Sequence, residues 1–317
     1  MSPDLDVRHR LDAMDETLLA RLGVRRHEFG DDVEQILGAW RTVREDAGEV
    51  AVVQVLADQL WARIGTFPTP EPIEFTDEVR QHHYAPGTLP LLAFVATAPE
   101  VVDFQVSRGI GAEQAWHALS DLGQQLWVNW ATSHAFGLQC ERWLSGIWLG
   151  NTAWLGRLQF HLVRRELGGS GADRGEQWWL DTHIPQSGPL TPESVQQAFA
   201  RAQPELADHF GVSAEGIICN SWLLAPELSQ LLPGTNLAAF QQSWELTGRA
   251  NDSGSSVYFF GFGMPRGYTP ADLSELPERS SLHRALAGHL RAGGSIDSCE
   301  GVARGWGADL SGDRSLG

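Results

Sequence analysis

The chain has 317 residues, 42% apolar and 20% charged, with 34 glycines and 16 prolines, a globular composition that excludes disorder, a collagen-like repeat and a small disulfide scaffold. At this length one core sits near the size at which chains divide, so two domains are expected. Forty acidic against 23 basic side chains give a net charge of −17, every base is an arginine, and no cationic run relieves the field, which argues against nucleic-acid and anionic-membrane partners.

Cys140, Cys219 and Cys299 are odd in number and lack C-x-x-C spacing, which fits a reducing compartment and no zinc site. Met1 to Arg10 is charged where a signal peptide is apolar, and no window reaches about 18 apolar residues. A cytoplasmic protein is expected. Up to about Gly150 the apolar residues recur at helical spacing, as in Val33, Ile36, Leu37 and Trp40, then Val52, Val55, Leu56 and Leu60, then Ala115, Leu119, Leu122 and Leu126. Proline-rich loops at 67–73 and 84–90 break this half into a small helical bundle.

From Trp154 onward short alternating runs appear. In Leu155 to Val163, Leu158, Phe160 and Leu162 face one way while Arg157, Gln159 and His161 face the other, a strand with one wet or functional face. A Gly/Ser loop at 168–175 separates it from a second strand, Gln177 to Ile184, and the two are expected to form an antiparallel hairpin. In the segment that follows, Pro185-Gln186-Ser187-Gly188-Pro189-Leu190-Thr191-Pro192, Thr191 is a good N-cap and Pro192 takes the first helical position, so a helix runs from Pro192 to about Ala202, with a further turn to Phe210. Gly216 to Leu224 reads as a buried strand interrupted by Asn220 and Ser221. A short helix near Pro226 to Leu232 and a Thr235-capped helix from Asn236 to about Leu246 come next. Val257 to Phe262 reads as a further strand, Ser281 to Ala292 as a last amphipathic helix, and the Gly/Ser/Asp-rich residues beyond Gly294 as a poorly ordered tail.

The order strand, strand, helix, strand, helix, strand over 154–263 resembles the GNAT-type N-acyltransferases. The strings Trp154-Leu155-Gly156-Arg157-Leu158-Gln159-Phe160, His183-Ile184-Pro185, Cys219-Asn220-Ser221-Trp222-Leu223-Leu224 and Ser281-Leu282-His283-Arg284-Ala285 are similar to those of a bacterial group of two-domain acyltransferase-like proteins. The resemblance implies an α+β chain: a helical N-terminal domain over 1–150, an acyltransferase-like mixed sheet flanked by helices over 151–293, and the tail 294–317.

It also implies a chemistry. In such proteins acyl-CoA enters where two central strands splay, and its pyrophosphate lies on backbone N–H groups of the loop and helix after the fourth strand, an anion site at a helix terminus. Gln186, Ser187, Gly188, Leu190 and Thr191 take that place here. The usual Q/R-x-x-G-x-G/A is altered, since Pro189 follows Gly188 and has no N–H to donate. Asn236 and Ala239 fit the N-x-x-A opening of the cofactor-side helix whose tyrosine protonates the departing thiolate, but the tyrosine position falls near Ser243. The acid is left to Cys219 or Ser221, or thiolate departure is unassisted. The base that frees an attacking amine is expected on a strand face, where alternation puts His183 with Asp181 and His161 with Gln159; histidine titrates nearest neutrality. A covalent Cys219/His183 mechanism stays open. The implied function is transfer of an acyl group from acyl-CoA, as co-substrate and without a metal, to a small-molecule amine. The alternatives are decarboxylation of a malonyl-type thioester, with Thr182 and His183 on its carboxylate, and a non-catalytic ligand-binding protein on the same fold.

Overall fold

The computed structural model describes residues 6–67, 73, 75, 84–165, 177–250, 252 and 254–305. The proline-rich segment at 67–73 and the Gly/Ser loop at 168–175 fall largely outside them. The chain divides into two compact units, Met1–Trp154 and Leu155–Gly317.

The first unit is helical: α1 (Val7–Asp12), α2 (Glu16–Arg21), α3 (Asp32–Val43), α4 (Ala47–Trp61), α5 (Thr88–Ser107), α6 (Ala112–Leu119), α7 (Asp121–Ser133) and α8 (Glu141–Ile147), with a two-stranded ribbon β1 (Arg26–His27) and β2 (Gly30–Asp31) before α3. Aspartates start four of the helices: Asp6, Asp15, Asp31 and Asp46 each accept backbone N–H bonds from the first turn, which satisfies donors a helix end leaves open. Helix α5 is long and apolar enough by composition to cross a membrane. Its burial among the other helices accounts for that composition: Leu91, Leu92, Phe94 and Ala98 are fully buried. Trp148 packs edge-on to Phe94 at 4.9 Å and donates its indole N–H to the Phe94 carbonyl.

After the helices the chain forms a six-stranded sheet in the order β3-β4-β5-β6-β8-β7. These strands are β3 (Thr152–Leu155), β4 (Leu158–Arg165), β5 (Gln177–His183), β6 (Ile217–Ser221), β7 (Trp244–Arg249) and β8 (Cys299–Ala303). Between them lie α9 (Pro192–Glu205), α10 (Glu227–Leu231), α11 (Asn236–Gln242) and α12 (Ser281–Arg291). β4 and β5 pair antiparallel, β5 and β6 parallel, and β8 pairs antiparallel with both β6 and β7. Period-2 alternation puts Phe160, Thr182, Cys219, Gly301 and Trp244 on one face. There Phe199 of α9 and Phe240 of α11 cover them through edge-to-face contacts with Phe160 and Trp244. The opposite face carries a small apolar cluster of Val163, Trp179, Ile218 and Val302 and, beside it, a polar row.

Several elements depart from the sequence expectation. The single strand expected over Leu155 to Val163 is divided into β3 and β4 by a turn at Gly156 and Arg157, with Gly156 at φ +67°, so Arg157 lies in the turn and not on a strand face with Gln159 and His161. The helix expected to reach Leu246 stops at Gln242, where the Ser243 N–H bonds back to Ala239 and Phe240 and Trp244 turns into β7 to fill the space against Phe199. Val257 to Phe262 is a single π-helical turn, Val257–Gly261. Its apolar residues are packed against Leu286 and Leu290 in a separate core cluster, and a short apolar run has no period that separates strand from helix. Residues 299–303, expected in a poorly ordered tail, form β8 in the interior of the sheet; of that segment, 306–317 lie outside the described residues. β8 has few large side chains because neighbours crowd it: a Cβ on Gly301 would sit 3.0 Å from the Glu245 carbonyl oxygen and 3.1 Å from Leu224.

Candidate functional site

The parallel ladder between β5 and β6 is short. It joins Leu180, Asp181 and Thr182 to Ile217, Ile218 and Cys219 and then ends. Beyond it β5 stays with β4 through His183 opposite Gln159, while β6 stays with β8 through Asn220 opposite Glu300 and Ser221 opposite Cys299. The two strands therefore part at their carboxyl ends, the place where open sheets receive ligands.

Directly after β5 comes the loop to α9. Thr191 caps α9 as expected, its hydroxyl accepting from the Ser194 N–H at 3.2 Å, and Pro192 takes the first helical position. Gly188 sits at φ +120°, with nothing within 4 Å of where a Cβ would stand. The Ser187 N–H is used internally, donating to the Pro185 carbonyl at 3.0 Å. The N–H groups of Gln186, Gly188, Leu190 and Thr191 donate to no other described residue. Gln186, Ser187 and Gly188 are exposed, Leu190 is buried and Thr191 half-buried. A residue the sequence reading passed over organises this loop. Arg157, in the turn between β3 and β4, donates from Nε to the Gly188 carbonyl at 3.0 Å and from Nη1 to the Pro185 carbonyl at 2.6 Å. Asn236 opens α11 with an exposed side chain that makes no hydrogen bond to a described residue, so nothing joins it to the loop.

The polar row lies on the sheet face opposite α9. His161 and Gln159 come from β4, Asp181 and His183 from β5, with His161 directly across from Asp181. The His161 and His183 rings meet edge to face at 4.7 Å. His183 Nε2 stands 3.7 Å from Asp181 Oδ2, with about a quarter of each side chain accessible, 29% and 24%. At that distance the two are not hydrogen-bonded to each other, and desolvation is the largest influence on the protonation of each. Burial raises the Asp181 carboxyl to about 6, only partly offset by the charge of Arg165. Burial lowers His183 to about 3. His161 is pushed well below the usual imidazole range by burial and then by His183. Near neutral pH both imidazoles are uncharged, and Asp181 is the group closest to its midpoint. Arg165 and Glu300 pair across the same face at 3.4 Å. Asn220, exposed at the parted end of β6, shares that face.

The remaining sequence candidates fall elsewhere. Cys219 is level with Thr182 on the α9-covered face and 1% exposed, so strand alternation turns it away from His183. Burial and then the Asp181 charge hold its thiol well above the ordinary range, which leaves no thiolate for a nucleophile. The Cys219/His183 pairing is corrected on both grounds. Ser221 also lies on the far face, and its hydroxyl accepts from the Leu223 N–H at 3.1 Å, starting the 3-10 turn Trp222–Leu224; its role is a cap. Thr182 and His183 alternate to opposite faces, so they do not converge on one carboxylate. No group of three or more His, Cys, Asp or Glu that could hold a metal occurs among the described residues. A cavity of about 480 Å³ opens beside β7, lined by Arg249, Tyr258, Leu290, Ile296 and Asp297 among others. It shares no residue with the parted strands.

Comparison with known proteins bears on the family and the fold. A model of an N-acyltransferase N-terminal domain matches residues 15–150, and one of a GNAT-like C-terminal domain matches residues 152–303. An acyltransferase solved with decanoyl-CoA and teicoplanin is 28% identical with a TM-score of 0.72, over 90% of this chain and 86% of the other. The same figures hold for an acyltransferase solved with CoA and 10C-teicoplanin. A further acyltransferase, solved with decanoyl-CoA, is 24% identical with a TM-score of 0.70, over 94% of this chain and 98% of its own, and shares the fold. No curated protein matches.

Proposed function

The chain is an acyltransferase of the two-domain GNAT-like type, and we propose that it moves a medium-chain acyl group from acyl-CoA to an amine of a small-molecule acceptor of the teicoplanin kind. The observation that carries this reading is the parting of β5 and β6 beyond Thr182 and Cys219, with the N–H-rich loop and α9 on one side of the opening and the Asp181/His183 row on the other. The acyl-CoA complexes of the 28% identical structures support the donor.

In this reading the diphosphate rests on the loop N–H groups and the start of α9, and the thioester enters the gap between the strands. The ammonium of the acceptor loses its proton toward Asp181, whose raised midpoint suits a base working near neutrality. His183, neutral and adjacent, orients the amine by a hydrogen bond. The free amine attacks the thioester carbonyl, the C–N bond forms and the C–S bond breaks; the nitrogen, positively charged after attack, gives its second proton to the departing thiolate, and Asp181 returns the first proton to solvent. A thiolate is a good enough leaving group that the missing tyrosine is not required.

The test is to incubate the protein with decanoyl-CoA, with and without teicoplanin, following free thiol and the mass of the acceptor. Thiol release that depends on acceptor, with a decanoyl mass added, is the expected outcome. Release without acceptor would turn the reading to thioester hydrolysis. Binding without release would turn it to the non-catalytic alternative.

A further inference from the structure

We infer that Arg157 is the positioning residue of the diphosphate loop, holding its backbone in the shape that binds CoA; this rests on the acyl-CoA reading above. The loop departs from the glycine-rich pattern it resembles by placing Pro189 after Gly188, so the Gly188–Pro189 peptide has one hydrogen-bonding group, its carbonyl. Arg157 Nε takes that carbonyl at 3.0 Å, and Nη1 takes the Pro185 carbonyl at 2.6 Å. In a trans peptide the carbonyl and the next N–H point in opposite directions. Anchoring the Pro185 oxygen on Arg157 therefore turns the Gln186 N–H away from the arginine. It also removes two carbonyl dipoles that would repel a diphosphate if the loop relaxed toward it. The guanidinium fork does by side chain what a second glycine does by backbone freedom: it lets a tight loop show donors to an anion.

The arginine reaches the loop from 28 and 31 residues earlier in the chain, from a turn whose Gly156 is at φ +67°. Its own surroundings suit a structural brace, since it is half-buried and burial draws its guanidinium pKa downward. Lysine cannot substitute, because one ammonium on a flexible stem does not span two carbonyls in a fixed plane.

The experiment compares wild type, Arg157→Lys and Arg157→Gln with two donors, decanoyl-CoA and decanoyl-pantetheine, the second carrying the same thioester without the nucleotide diphosphate. Both variants should raise KM for decanoyl-CoA by about tenfold or more, the usual scale for losing charge-assisted hydrogen bonds, with kcat kept. Turnover of decanoyl-pantetheine should not change. Equal CoA affinity in wild type and both variants, measured by calorimetry, overturns the inference while leaving the donor reading in place. Equal loss with both donors also overturns it, because the arginine would then support the unit as a whole. If wild type does not distinguish the two donors, the diphosphate site itself fails and the inference goes with it.

Discussion

Replacing Asp181 by Asn separates a base from a structural carboxylate, because the two effects of the change run in opposite directions. In the folded protein the carboxyl titrates at about 6, against an ordinary 3.8. The fold thus binds more protons than the unfolded chain between roughly pH 4 and 6, and stability falls as pH rises through that window. Above it the folded state carries the whole cost of a desolvated carboxylate: about 2 pK units at 1.36 kcal/mol each, or about 3 kcal/mol as an upper bound. With 24% of the side chain accessible, solvent screening brings this toward 1–2 kcal/mol. Asparagine has nearly the same shape and no charge. Asp181→Asn should therefore stabilise the protein at pH 7.5 by about 1–2 kcal/mol, a rise of several degrees in Tm for a unit of this size, and give little or no gain at pH 4.5. Turnover with decanoyl-CoA and acceptor should fall by about 10²–10⁴. Denaturant melts at the two pH values and single-turnover rates provide both readings. A loss of stability at pH 7.5, or the same gain at both pH values, would show that desolvation does not dominate at this carboxyl. Unchanged turnover would remove it as the base.

Gly188→Val forces a β-branched residue to φ +120°, at about 1–3 kcal/mol of backbone strain, and sets two methyls in the open space where the diphosphate is expected. CoA binding measured by calorimetry should weaken markedly while the melt shifts by only a few degrees; equal affinity would empty the site. Cys219→Ala removes a buried thiol on the α9-covered face, so the expected change is roughly 1 kcal/mol of stability with turnover unchanged, and mass spectrometry should find no acyl group on the wild-type protein incubated with decanoyl-CoA. A well-folded but inactive Cys219→Ala would return the thiol to the mechanism.

The parts of the fold legible in the sequence were those set by neighbours along the chain. Thr191 before Pro192 marked the start of α9, and its hydroxyl takes the Ser194 N–H as a cap should. Alternation marks strands over Leu155 to Val163 and Gln177 to Ile184; the structure keeps Leu158–Arg165 and Gln177–His183, which pair antiparallel as expected, and turns the chain at Gly156 and Arg157 before the first of them. β7, β8 and the π-turn were hidden because tertiary packing, not local pattern, decides them. Cys299–Ala303 is small and Gly-containing because strands flank it on both sides, and that crowding has no signature in a window of five residues. Val257–Gly261 is apolar because the helical cluster around Leu286 surrounds it, and an apolar run of that length fits either state.

The candidate site divides along the same line. That Asp181 and His183 share a face follows from spacing alone, since period 2 needs no partner. That Cys219 does not share it depends on the register of β6 against β5, which pairs Cys219 with Thr182. Arg157 and Glu300 reach their partners across 28 to 135 residues, a distance over which sequence offers no pairing rule. The protonation order was the reverse of what residue type suggests. Histidine was the natural base because its ordinary midpoint lies near neutrality, but one desolvation penalty acts on both groups and disfavours whichever form is charged. It lowers an imidazole away from neutrality and raises a carboxyl toward it, so the burial that disqualifies His183 at about 3 is what tunes Asp181 at about 6. In the proposed mechanism the base is then chosen by desolvation at the β5 end, and a substitution that opens this face further to water should return both groups toward their ordinary values and weaken Asp181 as a base.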